Sequence, residues 1–260
     1  KVWPVIEKDL AYTVKFWNRT GYDLWEEING SSFFTLSASH RALVEGASLA
    51  KKLGKSCTDC ATSAPRVLCF FQNFWTGSYI DSNINVKDDR KGLDANSILS
   101  SIHTFDPQAK CTDATFQPCS SRALSNHKAV VDSFRSIYDV NKNRGRGKAA
   151  AVGRYSEDVY FDGNPWYLTT LAAAEQLYAA IYQWNKVGSV TIDEVSLPFF
   201  RDLIPKVTKG TYRKNSKTYR SIINAVKSYA DGFVSVVQAY TPKDGSLAEQ
   251  FDKSTGRPKS

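Results

Sequence analysis

The chain has 260 residues and a mass of 29.0 kDa, enough to bury a sizeable core as one domain spanning 1–260. It contains no apolar run near the ~20 residues a membrane helix needs, so a soluble protein with no membrane partner is expected. The net charge of +8 is read as a well-solvated surface, with an anionic surface such as a cell wall as the weaker reading. Nucleic acid is not expected as a partner. The basic clusters (Lys51–Lys55, Asn143–Lys148, Lys206–Arg220) lie in loop-like stretches and form neither a basic stripe with interleaved aromatics on one element nor a named motif.

Lys1-Val2-Trp3-Pro4 opens directly into a periodic pattern, so the chain is expected to have lost a signal or to begin inside a longer protein. Val5, Ile6, Leu10, Val14 and Trp17 recur at three and four residues, one face of a first helix. Phe34, Leu36, Leu43, Ala47 and Ala50 mark a second. A third is predicted over Pro65–Trp75, with proline at its start. Leu93–Ile102 is a short fourth and Ser121–Tyr138 a fifth. Pro165–Trp184, closed by Gly188, carries the strongest pattern, and Glu194–Ile204 and Ser216–Tyr240 complete eight candidates. Strand-like runs are rare and short. An all-α fold is predicted, with helices joined by long polar loops into antiparallel pairs.

The five cysteines are Cys57 and Cys60 in C-x-x-C, Cys111 and Cys119 eight apart, and Cys69 left over. Zinc is the rival to disulfides, but the spacings form no matched pair of knuckles and His40, His103 and His127 are scattered. Sequons at Asn18 and Asn29 fit a secreted, disulfide-bearing glycoprotein.

Three segments carry carboxylates and aromatics together. In Thr20–Gly30, Asp23, Glu26 and Glu27 surround Trp25. An indole excludes water and a neighbouring carboxylate repels a second charge, so at least one pKa is expected to rise, as a general acid requires. Near the end, Glu249 follows the polar turn Asp244-Gly245-Ser246 and could supply the second carboxylate of a glycoside hydrolase. Between them, Gly153–Trp166 combines Arg154, Glu157 and Asp158 with Tyr155, Tyr160 and Trp166, groups suited to sugar hydroxyls and to the apolar face of a pyranose. Each segment alone also reads as an ordinary solvated cap or structured loop.

The run T-G-Y-D-L-W-E-E-I-N-G resembles the signature of fungal glucoamylases, glycoside hydrolase family fifteen. A-L-V-E-G, F-W-T-G-S, S-I-H-T-F-D-P, F-Q-P-C, V-G-R-Y, G-N-P-W-Y-L and A-D-G-F-V-S follow in the family's order, over essentially the whole chain. The resemblance implies an (α/α)6 toroid. It also implies exo-hydrolysis of α-1,4 and, more slowly, α-1,6 glucosidic bonds of starch and maltooligosaccharides, releasing β-glucose by inversion, with no cofactor or metal, in a monomer. By motif position Glu26 resembles the proton donor and Glu249 the general base. Asp23 resembles a support or proton acceptor, and Trp25, Glu27, Arg154, Asp158, Tyr160 and Trp166 resemble substrate contacts. Cys57–Cys60 and Cys111–Cys119 keep the family's disulfide spacing, and Cys69 is expected to be unpaired.

The chain departs from the family in length. About eight of twelve helices are expected, without the N-terminal helices, the final helix or a starch-binding module. A catalytically inactive carbohydrate-binding remnant of the same fold is therefore the competing reading.

Overall fold

A computed structural model describes residues 2–259. Among them are eight α-helices, seven strands of two to four residues, and four single 3-10 turns. The described residues up to Thr76, with Asp81–Asp89, form one compact unit; Gly77–Ile80 and the residues from Arg90 onward form another.

The first unit contains α1 (Trp3–Phe16), β1 (Gly21–Tyr22), β2 (Asn29–Ser32), α2 (Phe33–Lys52), α3 (Thr58–Phe71) and β3 (Asn83–Ile84). Proline at the first turn suits the start of α1, where its missing N–H has no intrahelical acceptor. Of the apolar face predicted there, only Leu10 is buried, while Val5 is 59% exposed. Leu10 seats against α2 at Gly46, where a Cβ would lie 2.5 Å from the leucine Cδ2. Phe33 stacks on Phe71 with centroids 4.4 Å apart and meets Phe74 edge-on at 5.7 Å. The third helix starts at Thr58, not Pro65, which lies inside it. Cys60, Ala64, Val67 and Phe71 are buried at helical spacing against α2, and that packing carries the helix through a proline that removes one backbone bond. The three short strands form one antiparallel sheet in the order β1-β2-β3.

The second unit contains α4 (Asn96–His103), α5 (Ser121–Ser133), α6 (Tyr167–Val187), β4 (Ser189–Ile192), α7 (Leu197–Leu203), β5 (Gly210–Arg213), α8 (Lys217–Tyr240), β6 (Gln250–Phe251) and β7 (Pro258–Lys259). Specific hydrogen bonds fix several ends. Gly188 closes α6 in the left-handed region at φ 79°, its N–H bonded to the Trp184 carbonyl. Ser216 caps α8 by accepting from the Tyr219 N–H at 3.1 Å. The fifth helix stops at Ser133 rather than Tyr138 because the Phe134 carbonyl accepts from the Asn141 side chain at 3.1 Å. The seventh begins at Leu197 rather than Glu194, because Asp193 accepts from the Ser196 N–H at 2.9 Å and turns the chain first.

The core of this unit lies where α6 packs on α8. Ile222, Val226, Tyr229, Phe233 and Val236 form the buried stripe of α8, opposite an α6 rich in buried alanines, with Leu177 and Trp184. Phe200 of α7 packs against Trp184 at 5.9 Å. Both disulfides join residues near in sequence: Cys57 to Cys60 at the start of α3, and Cys111 to Cys119 ahead of α5. Cys69 carries a free, exposed thiol.

Candidate active site

The Thr20–Gly30 segment is a β-hairpin rather than a plain interhelical loop. Gly21 pairs with Gly30 and Tyr22 with Asn29, so residues 23–28 form its tip. Asp23 organises that tip. Its N–H donates to the Ile28 carbonyl at 2.9 Å, and its carbonyl accepts from the Glu26 N–H at 3.0 Å. Its carboxylate Oδ1 accepts from the Glu27 and Ile28 N–H groups at 3.0 and 3.2 Å, while Oδ2 accepts from Asn83 Nδ2 of β3 at 3.1 Å. Asp23 is thus the buried carboxylate of the three, and Glu26 and Glu27 are exposed. Glu26 adopts φ 59°, a left-handed conformation costing a residue with a Cβ about 1 kcal/mol. Gly30, at the neck, is required by close packing: a Cβ there would meet Val86 Cγ1 at 2.2 Å.

In the second unit the Gly153–Trp166 segment closes on an internal ion pair. The Arg154 Nε and Nη2 donate to the Asp158 carboxylate at 2.8 and 2.7 Å. Both side chains are almost wholly buried, at 5% and 1% exposure, so this bidentate bond is shielded from water. Three rings surround the guanidinium, Tyr155, Tyr160 and Trp166, with centroids 5.2, 5.0 and 5.4 Å away. Asp158 also accepts from the Tyr160 N–H at 2.8 Å, which sets where that ring stands. Tyr160 is 45% exposed and Trp166 8%, their rings 6.3 Å apart. Two glycines let the segment fold this tightly. A Cβ on Gly163, at φ 66°, would lie 1.9 Å from the Asp158 carbonyl, and one on Gly153 would lie 2.0 Å from the Tyr138 hydroxyl. Burial, with the Asp158 charge nearby, pushes the Tyr138 hydroxyl up, keeping it protonated.

Glu249 stands at the entry to β6, beside this segment. Gln250 bridges Trp166 through the backbone, and the Phe251 N–H donates to the Pro165 carbonyl at 3.1 Å. The buried Gln250 side chain links the two pieces, since its Nε2 donates to Glu249 Oε2 at 3.3 Å and its Oε1 accepts from Asn164 at 3.2 Å. Glu249 itself is exposed.

The structure therefore gathers Arg154, Asp158, Tyr160, Trp166 and Glu249 in one unit, and Asp23, Trp25, Glu26 and Glu27 on one hairpin in the other. Asn83 and Gln250 hold these groups and were missed by sequence reasoning. Gln250 adjoins Glu249 and could have been suspected, whereas Asn83 lies 60 residues from Asp23 and carried no local signal. Asn18 and Asn29 are both exposed. Among the described residues no group of histidine, cysteine and carboxylate side chains is arranged to hold a metal, and no helix is long and apolar enough to cross a membrane.

The profile of the glycosyl hydrolases family 15 matches residues 1–260. The glucoamylase of Neurospora crassa is 62% identical over 259 residues, covering 99% of this chain and 41% of that protein. The glucoamylase 1 of Rhizopus oryzae is 35% identical, over 97% of this chain and 43% of that protein. The structure of the family 15 glucoamylase from Hypocrea jecorina superposes with a TM-score of 0.96 at 60% identity, covering 99% of this chain and 43% of that one. The eight helices thus match part of the (α/α)6 fold of such enzymes, and the chain spans less than half the length of these relatives.

Proposed function

The chain belongs to glycosyl hydrolases family 15, and we propose that it supplies the acid and the base of an exo-acting, inverting glucoamylase. The reaction is hydrolysis of α-1,4 and, more slowly, α-1,6 glucosidic bonds at the non-reducing ends of starch and maltooligosaccharides, releasing β-glucose. The family match runs unbroken over residues 1–260, which supports reading both compact units as parts of one catalytic domain.

The observation that carries the proposal is the hairpin tip, where a buried aspartate fixes the turn through its carboxylate bonds to the Glu27 and Ile28 N–H groups and its carbonyl bond to the Glu26 N–H, and exposed Glu26 stands in a left-handed conformation. Backbone strain of that kind persists where the surrounding structure over-determines it, as it does at sites of chemistry. Glu26 is the proton donor to the glycosidic oxygen, and Glu249 is the base that takes a proton from the attacking water. Each transfers one proton, and the glycosidic bond breaks as the water oxygen bonds to the anomeric carbon from the opposite face. Asp23 acts as a support. Trp25, Glu27, Tyr160 and Trp166 contact sugar, and Arg154 with Asp158 forms the polar wall behind the two rings. No metal or organic cofactor enters this scheme. The disulfides and two exposed sequons support a secreted glycoprotein.

The test is Glu26→Gln and Glu249→Gln in the full-length protein that carries this chain. The first should lower kcat by at least about 100-fold, the lower end of what positioned proton transfer contributes, while maltose still binds. The second should be impaired less. NMR should show β-glucose as the first anomer formed; an α product would rule out inversion. The second reading is a catalytically inactive carbohydrate-binding remnant of the same fold. It predicts maltose binding with no turnover in the unaltered protein.

A further inference from the structure

The basic stretch Asn143–Lys148 has no part in the hydrolytic scheme, yet it is firmly built. The Arg135 guanidinium donates from Nη1 to the carbonyls of Arg144 and Lys148, at 2.7 and 2.9 Å, and so staples the loop from beneath. Gly147, at φ 78°, passes so close to α7 that a Cβ would lie 2.1 Å from the Asp202 carbonyl. The loop then runs over α8 at Gly232, where a Cβ would lie 2.9 Å from the Ala149 Cβ.

Between the loop and α8 lies a groove of about 440 Å³, within the ~300–1,000 Å³ range of small-molecule sites. Arg144 and Lys148 form one wall, and the small residues Ala225, Ser228, Gly232 and Ser235 of α8 form the floor. No carboxylate lines it. The nearby acids are engaged elsewhere: Asp139 pairs with Lys142, Asp132 with Lys128 and Arg135, Asp202 with Lys128 and Asp231 with Lys227, while Arg146 reaches Asp132 at 3.9 Å. Arg144 and Lys148 have no ion-pair partner among the described residues; one Arg144 nitrogen, Nη1, donates to the Ala149 carbonyl at 3.4 Å, and the Ser235 hydroxyl donates to the Asp231 carbonyl at 3.0 Å, leaving its oxygen to accept. Two cations, no anion, and serine hydroxyls beyond them make a site for a strong anion attached to a hydroxylated body.

We propose that this groove binds a phosphate ester carried on a sugar, apart from the residues assigned to hydrolysis. The phosphate sits against Arg144 and Lys148, and the sugar hydroxyls meet Ser228 and Ser235. The proposal does not depend on the hydrolytic reading.

The test is calorimetric titration of the purified protein with glucose 6-phosphate, inorganic phosphate and glucose, at low and high salt. Glucose 6-phosphate should bind saturably, about tenfold more tightly than inorganic phosphate, and weaken as salt rises. Lys148→Gln should weaken it about tenfold, and Lys148→Arg should restore it. Lys148 is exposed and outside the hydrolytic site, so Lys148→Gln should leave glucose binding and starch turnover unchanged. Absence of saturable glucose 6-phosphate binding, or equal affinity in Lys148→Gln, would overturn the site. Inorganic phosphate binding as tightly as the ester would overturn its assignment to a sugar phosphate.

Discussion

Asp23 and Glu26 divide one task between them at the level of single side chains. Asp23 is buried and its carboxylate accepts three hydrogen bonds, while Glu26 is exposed and bears the strain. Two outcomes follow. Asn83→Ala removes a buried bond to a charged acceptor and should destabilise the protein by about 1–3 kcal/mol, read from urea unfolding midpoints. Glu26→Gly relieves the left-handed backbone and should leave stability equal or up to about 1 kcal/mol higher while abolishing turnover. A marked loss of stability in Glu26→Gly would show that the side chain, and not the conformation, is what the fold needs there. The T-G-Y-D-L-W-E-E run made these carboxylates visible as candidates. It did not show that the one between glycine and tryptophan was buried, because its partner Asn83 arrives from a distant strand.

At the scale of the element, the packing of α5, α6, α7 and α8 encloses a histidine. His127 of α5 bonds through Nε2 to the Ala173 carbonyl of α6 at 3.0 Å and meets Phe199, Tyr229 and Phe233 edge-on at 5.6–5.9 Å. Burial lowers its pKa from 6.5 to about 4. The unfolded chain therefore binds a proton on this ring more readily than the fold does. Its contribution is fully present above pH ~6.5, is lost as pH falls toward about 4, and amounts to about 3 kcal/mol in all. Urea unfolding at pH 7 and pH 4 should show that loss, and His127→Gln should flatten the slope between them. The same packing explains which helix ends were legible. Gly188 ends α6 by local conformation and reads from sequence. The early stop of α5 depends on Asn141, and the passage of α3 through Pro65 depends on apolar contacts with α2. Neither is a property of the segment itself.

For the whole molecule, the disulfides bear on stability directly. Opening the bridge between Cys111 and Cys119 with a pair of serines should cost about 2–4 kcal/mol, seen as a lower melting temperature, because the unfolded chain regains the entropy of that loop. An unchanged melting temperature would mean that the loop is ordered by its other contacts, such as the Cys119 N–H bonded to Gln183 at 3.1 Å. The helical class, the eight helices and the order of the carboxylate-bearing segments were all legible in the sequence. Periodic apolar spacing and motif order are local and linear, and they survive without knowledge of partners. Residue identity alone also marked Glu26, Glu249 and the Arg154–Asp158 pair as candidates. What only the tertiary structure decided is how each is held: Asp23 tied to Asn83, Glu249 to Gln250, and Arg154 sealed against Asp158 beneath three rings. It also decided that the loop-like 143–148 stretch is tied down by Arg135 and forms one wall of a groove. The physical reason is that burial and hydrogen-bond satisfaction depend on what the fold packs around a group: Asn83 reaches Asp23 from 60 residues away and Asn164 reaches Gln250 from 86, and even the near pair Arg154 and Asp158 is sealed only once its segment folds beneath the rings.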